Sequence, residues 1–195
     1  MKPVFRLPVV FALAALHLAQ AAPAADLPAL WAERVKCVVA VECMTVTETE
    51  RRPTVSMGAV VDAAGTIILQ ASAIDPRAAL WQLKDFKVYL PGQGEGETAE
   101  YLGQDAFTGW HFVRAGGETR AKLKPVTAFA GDSGPRKPAV AEAIWGIGLR
   151  PKDEDFTPYI LQSNVALLQA VPQLTGIAQH EVAAPGLPIF DQQGV

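Results

Sequence analysis

The chain has 195 residues with 17 Lys and Arg against 20 Asp and Glu, a net charge of −3 and 50% hydrophobic residues. This length fits one domain, or one fold built from two small halves, and the apolar content excludes a disordered chain. The mild acidity argues against a nucleic-acid surface, and two cysteines and three histidines without metal-ligand spacing predict neither a metal site nor a cofactor.

The first 21 residues have the layout of a secretory signal peptide. Lys2 and Arg6 precede an apolar run over residues 7–19, and Ala19 and Ala21 flank Gln20 in a small-x-small pattern. The apolar run is shorter than the roughly 20 residues of a membrane-spanning helix. We expect export to the periplasm or the outside and no stable membrane span after cleavage, with an uncleaved anchor as the alternative.

Residues 22–35 lead into the domain and contain one helix. Asp26 can cap it, and Pro28 lies in the first turn, where a missing N–H has no cost. The apolar residues that share one helical face are Leu27, Leu30, Trp31 and Val35.

A first set of strands is predicted over residues 36–116. Cys37 and Cys43 fall on its first strand, residues 36–46, and lie ~20 Å apart along it. This is too far for a disulfide, so both are expected to be buried thiols. A hairpin joins residues 54–61 and 66–70 around a loop that ends at Gly65. Further strands are predicted at residues 86–90, 99–102 and 110–114, with 91–97 as a connection.

A second set of strands follows a polar joint at residues 115–122. Short strands separated by turns predict an all-β barrel or sandwich. After Phe190, residues 191–194 form a turn and the sequence stops at Val195, where another strand is expected. We therefore expect an incomplete second half with an open sheet edge. The predicted strands are residues 139–148, 159–168, 176–182 and 187–190.

Three polar residues are candidates for nucleophilic catalysis. Ser133 lies in Gly-Asp-Ser-Gly-Pro, in a polar loop before a predicted strand, which is typical of a surface turn. A nucleophile would also need a base within hydrogen-bond reach. His111 lies between apolar neighbours, which favours a packed histidine with one hydrogen bond. His180 precedes Glu181 in a predicted strand, so the two side chains should point to opposite faces. None of the three predicts a catalytic site.

Two other clusters are better explained as loops. Asp153, Glu154 and Asp155 lack the glycine and the alternating oxygen ligands of a calcium loop. The glycines of the connection at residues 91–97 do not lead from a strand into a helix, as a phosphate-binding loop would.

The order of segments over residues 27–195 resembles the trypsin-like serine proteases, and specifically their HtrA/Deg branch. The resemblance implies two six-stranded β-barrels, at residues 36–116 and 117–195, with a short helix in front. It also implies that the Gly-Asp-Ser turn opens the second barrel and is not catalytic. The stretches that carry it are residues 38–42, 57–69, 101–110, 130–133, 143–148 and 186–190.

The same resemblance implies that the catalytic triad is lost. Ala73 matches the histidine position, or Ser72 if the match shifts by one residue, and Gly109 matches the aspartate, while Asp105 matches a turn residue. Pro185 matches the serine. Ala183 matches the glycine that helps to form the oxyanion hole.

The resemblance therefore predicts a catalytically inactive pseudoprotease. Its expected partners are extended peptides or unfolded proteins, bound by strand addition. Two alternatives stay open at this point. One is an active serine endopeptidase with displaced residues, among them His111, His180 and Ser133. The other is a structural envelope protein.

Overall fold

The computed structural model of the protein describes residues 26–126, 138–169 and 175–195. These residues form two antiparallel sheets and two short helices, which confirms the predicted all-β fold class. The helices are α1 (Leu27–Arg34) and α2 (Gly117–Lys122). The first sheet contains β1 (Val38–Val46), β2 (Arg51–Val60), β3 (Thr66–Leu69), β4 (Leu83–Tyr89), β5 (Gly96–Thr98), β6 (Glu100–Gln104) and β7 (His111–Arg114). The second contains β8 (Ala143–Leu149), β9 (Pro158–Gln169), β10 (Thr175–Ala178) and β11 (Ile189–Asp191).

The first sheet curls into a barrel. Its strand order is β5-β4-β1-β2-β3-β7-β6, so β5 and β6 are its two edges. These edges are consecutive in the chain and are separated by Ala99 alone, whose N–H donates to the Phe86 carbonyl at 2.9 Å. A single run of chain thus closes the sheet on both sides. Counted as one strand, β5 and β6 complete a barrel of six strands.

The β2–β3 hairpin forms as the sequence predicts. Val60 of β2 pairs with Ile67 of β3, and Gly65 ends the connecting loop at φ +77°. This left-handed conformation is one that glycine adopts without steric cost.

Strand β1 is buried on both faces, which explains its continuous apolar sequence. Val39, Val41 and Cys43 point into the barrel core. Val38 and Ala40 point the opposite way, into a second core between the barrel and the second sheet. The alternation of side chains along a strand makes β1 the wall that both cores share.

The second sheet has the order β10-β9-β8-β11 and packs on the outside of the barrel. Trp145, Ile147 and Leu149 of β8 supply its part of the second core. Helix α1 covers the same core with its apolar face, as its sequence predicts. Asp26 is its N-cap residue but makes no side-chain capping bond.

A loop after β8 fastens the second unit to the barrel. Phe156 is fully buried there, with its ring 5.0 Å from the ring of Tyr89 on β4. Lys152 Nζ lies 2.8 Å from Glu42 Oε2 on β1, and the Tyr89 hydroxyl donates to the same carboxylate. Burial raises the pKa of Glu42, but the Lys152 ammonium and the Tyr89 hydroxyl outweigh burial, and the pKa lies below its ordinary value.

Both cysteines are free and buried, as predicted. Burial raises the pKa of both thiols, which favours the unreactive protonated form. In the described part of the chain, no helix has the length and the apolar character needed to span a bilayer.

Candidate functional site

Three segments that are distant in sequence meet at the seam between the barrel and the second unit. Gly109 has φ +75°, and a Cβ on it would lie 3.2 Å from the Ala71 Cβ. Gly186 has φ +88°, and a Cβ on it would lie 2.9 Å from the Met57 carbonyl oxygen and 3.9 Å from the Gln70 nitrogen. The short turn around residues 70–73 therefore lies between Gly109 on one side and the Pro185–Gly186 turn on the other.

The middle segment is a single 3-10 turn at Ala71–Ala73. Ala73 is buried in the barrel core, and its carbonyl accepts a hydrogen bond of 2.9 Å from the Ser56 hydroxyl. Ser72 is exposed. Of the two positions that the sequence offered for an imidazole, only Ser72 presents its side chain at the surface.

Gly109 ends a tight turn that Asp105 organises. The Asp105 carboxylate accepts hydrogen bonds from the hydroxyl and the N–H of Thr108, which hold its pKa below the ordinary value. The Gly109 N–H donates to the Asp105 carbonyl at 2.8 Å, and the Gln104 side chain donates to the Gly109 carbonyl at 2.9 Å. The only carboxylate of this turn, that of Asp105, therefore stabilises the conformation of the turn.

The third segment, residues 182–187, lies tightly against β8. Its Ala184 N–H donates to the Ile147 carbonyl at 3.3 Å, and its Leu187 N–H closes a turn on Ala184 at 3.0 Å. Pro185 is exposed at the tip of this turn, and Ala183 is half-buried behind it. Because proline has no N–H, this turn presents no backbone donor at residue 185.

His111, the first residue of β7, lies inside the barrel and is 3% exposed. Its Nδ1 is 2.9 Å from the Tyr101 hydroxyl, and the Tyr101 ring stacks on Phe86 at 4.8 Å. Burial lowers the pKa of His111, and a hydrogen bond with the Ala71 backbone offsets this only in part. In the described ranges no carboxylate bonds to the ring, so His111 is a packed, neutral histidine without an orienting acid.

A buried neutral histidine makes stability depend on pH in a defined window. Because the pKa of His111 is lower in the folded state, the unfolded chain binds more protons, and stability falls as the pH drops below about 6.5. The slope should approach about 1.4 kcal/mol per pH unit from this residue alone. Urea unfolding between pH 8 and about pH 5.5, where most carboxylates stay ionised, measures it.

The matched variants are His111→Gln and His180→Gln, since His180 is exposed. We expect His111→Gln to reduce the pH dependence of the free energy of unfolding and His180→Gln to leave it unchanged. An unchanged slope in His111→Gln would contradict the assignment.

His180 lies outside any strand, so its expected strand placement is wrong. β10 ends at Ala178, and the His180 N–H donates to the side-chain hydroxyl of Ser163 on β9 at 3.0 Å instead of to a backbone carbonyl of that strand. This bond to a side chain takes the place of the next backbone hydrogen bond between the two strands. The expectation that the side chains of His180 and Glu181 point to opposite faces of a strand therefore does not apply. His180 lines a polar pocket of about 510 Å³ together with Ser163, and none of its lining residues carries a carboxylate.

The remaining candidates do not form a site in the described residues. Ser133 and its motif lie outside them. In the acidic loop, both carboxylate oxygens of Glu154 bond to the Arg150 guanidinium, at 2.7 and 2.8 Å. Across residues 26–126, 138–169 and 175–195, no group of three or more His, Cys, Asp and Glu side chains is placed to hold a metal ion.

No protein-family model and no curated protein matches the sequence. The structure does match solved structures, among them the crystal structure of the serine endoprotease from Yersinia pestis, with a TM-score of 0.58 and 15% identity. The match covers 85% of this chain and 53% of that chain, so this chain spans about half of that protein. The likeness concerns the fold: the chain adopts the two-unit β fold of trypsin-like serine proteases, with a closed first barrel and a four-stranded second sheet.

Proposed function

We propose that this protein is an exported, catalytically inactive member of the trypsin-like fold that binds extended polypeptides. The proposal is supported mainly by the composition of the seam between the barrel and the second unit. The segments around Ser72, Gly109 and Pro185 meet there, and none of these three residues supplies an imidazole, a carboxylate or a free nucleophile with a base.

Each missing group removes a separate step of acyl transfer. Pro185 has neither a hydroxyl to attack a carbonyl nor an N–H to stabilise the resulting oxyanion. Ser72 and Ala73 cannot accept the proton of a nucleophile, and Gly109 cannot orient an imidazole. A single remaining oxyanion donor gives little acceleration, because the loss of one donor alone costs on the order of 10²–10³-fold in rate.

The part of the proposal that concerns binding rests on the architecture. A solved structure of the same fold is a serine endoprotease, and such an enzyme must hold a polypeptide chain against its surface. In this protein β11 pairs with β8 on one side, and no strand among the described residues pairs with its other side. An extended peptide can add to such an edge through main-chain hydrogen bonds. Export is proposed from the character of residues 1–21.

The catalytic half of the proposal is tested by labelling the purified protein with a fluorophosphonate probe and by incubating it with unfolded casein. We expect neither a covalent adduct nor cleavage above a buffer control. An active trypsin-like protease labelled in parallel shows that the probe is competent. A stoichiometric adduct on Ser133, or on any other serine, would overturn the proposal in favour of an active hydrolase.

The binding half is tested by fluorescence anisotropy with a reduced, carboxymethylated protein that cannot fold, against the same protein in its native state. We expect saturable binding of the unfolded form and none of the native form. Absence of saturable binding to the unfolded form would remove the polypeptide-binding function.

A further inference from the structure

An apolar cavity of about 330 Å³ lies at the seam, beside the turn that carries Gln70. The barrel supplies Ile68, Leu69 and Trp110 to its wall, and the second unit supplies Leu187 and Pro188. The cavity therefore exists only where the two units meet, next to the positions of the lost triad.

The wall of the cavity is built from well-anchored backbone. Leu69 pairs with His111, the residue after Trp110, across the β3–β7 ladder. Val126, which also lines the cavity, donates its N–H to the Val60 carbonyl at 2.8 Å. Such a site is formed before a ligand arrives, so binding requires little ordering of the protein.

Apolar surface remains open at this site. Trp110 is 43% exposed although it lines the cavity. An aromatic or branched aliphatic group that enters would remove this surface from water, which favours binding in proportion to the area buried. A charged group would lose its hydration without finding a partner.

One polar side chain lines the same cavity. Gln70 is half-buried, and no group in the described residues forms a hydrogen bond with its carboxamide. A carboxamide offers a donor and an acceptor side by side, as a main-chain amide does. Apolar walls with a single free carboxamide match a peptide, which carries an apolar side chain and a backbone amide a few ångströms apart.

We propose that this cavity takes one aromatic or branched aliphatic side chain of an extended peptide, while the peptide backbone hydrogen-bonds to the Gln70 carboxamide. The inference rests on the proposed polypeptide-binding function and assigns it a place and a side-chain preference.

The test titrates ¹⁵N-labelled protein with the peptides acetyl-Ala-Ala-X-Ala-Ala-amide, where X is Phe, Leu, Ala or Lys. We expect the Phe and Leu peptides to bind at least about tenfold more tightly than the Ala and Lys peptides, because only they fill the cavity. The side-chain signals of Gln70 and Trp110 should shift on binding, since both groups line the site.

Two variants locate the interaction. Trp110→Ala removes the exposed ring that lines the cavity, and Gln70→Ala removes the carboxamide. Each variant should bind the Phe peptide about fivefold or more weakly than the parent protein. The matched control is Trp81→Ala, which removes a tryptophan that is 69% exposed and does not line the cavity. It should leave the affinity unchanged. Ala59→Leu, which fills the cavity from its floor, should abolish the preference for Phe, with circular dichroism as the check on folding.

The outcomes separate this inference from the proposed function. Equal affinity for all four peptides, or unchanged affinity in both wall variants, would overturn the cavity as the binding site while polypeptide binding stands. Binding of free toluene without binding of any peptide would also overturn it, since the cavity would then be closed to a chain. If neither the peptides nor the unfolded protein bind, the proposed function itself fails.

Discussion

Replacing Phe156 by alanine is expected to destabilise the protein by about 3–5 kcal/mol, the range for truncating a buried phenylalanine. Phe156 is 0% exposed and packs in the second core against Tyr89 of the barrel. Its carbonyl also accepts the Gly92 N–H at 3.2 Å, so side chain and backbone both join the second unit to the barrel. The loss should therefore lower the free energy of unfolding and loosen the seam together.

Urea unfolding measures the effect, with Phe107→Ala as the matched control. Phe107 is 97% exposed, and its truncation should change stability by less than about 0.5 kcal/mol. Phe156 also has φ +52°, a conformation that is costly for a residue with a Cβ. Phe156→Gly should then be no less stable than Phe156→Ala, although glycine ordinarily costs more. A loss below about 1 kcal/mol in Phe156→Ala would show that the second core does not hold the two units together.

The strands were predictable because alternation and turn residues are local signals. The six-stranded first barrel was expected only from the resemblance, and local patterns could not show how it closes, because one strand is divided at Ala99 between two partners. Helix α2 was missed for a similar reason. Glu97, on β5, accepts the N–H groups of Glu118 and Thr119 at the start of this helix, at 3.4 and 2.6 Å. A cap supplied from 20 or more residues away leaves no pattern in the helix itself.

Single residues of the candidate site were likewise hard to assign from local sequence. The resemblance matched Gly109 and Pro185 to triad positions and Ala73 to the histidine position, with Ser72 as the alternative if the match shifts by one residue. Burial separates these two: Ala73 faces the barrel core and Ser72 faces solvent. The cavity beside Gln70 could not be predicted from the sequence, since its wall combines residues from segments more than 100 positions apart.

Replacing Gly146 on β8 by alanine is expected to destabilise the protein by about 1–3 kcal/mol, because a Cβ there would clash with the Val182 carbonyl oxygen. Relief requires residues 182–187 to move off the sheet, and with them Pro185. The matched control is Gly176→Ala on β10, where a Cβ would lie 3.8 Å from Leu168, an ordinary contact.

We expect the control to be as stable as the parent in urea unfolding, or slightly more stable, since alanine restricts the unfolded chain. Because Leu187 and Pro188 line the seam cavity, Gly146→Ala should also lower the affinity for the Phe peptide, whereas the control should not. Equal stability and equal affinity in the two variants would mean that the loop is not held against β8. The turn that carries Pro185 would then be free to move and would not be fixed at the seam.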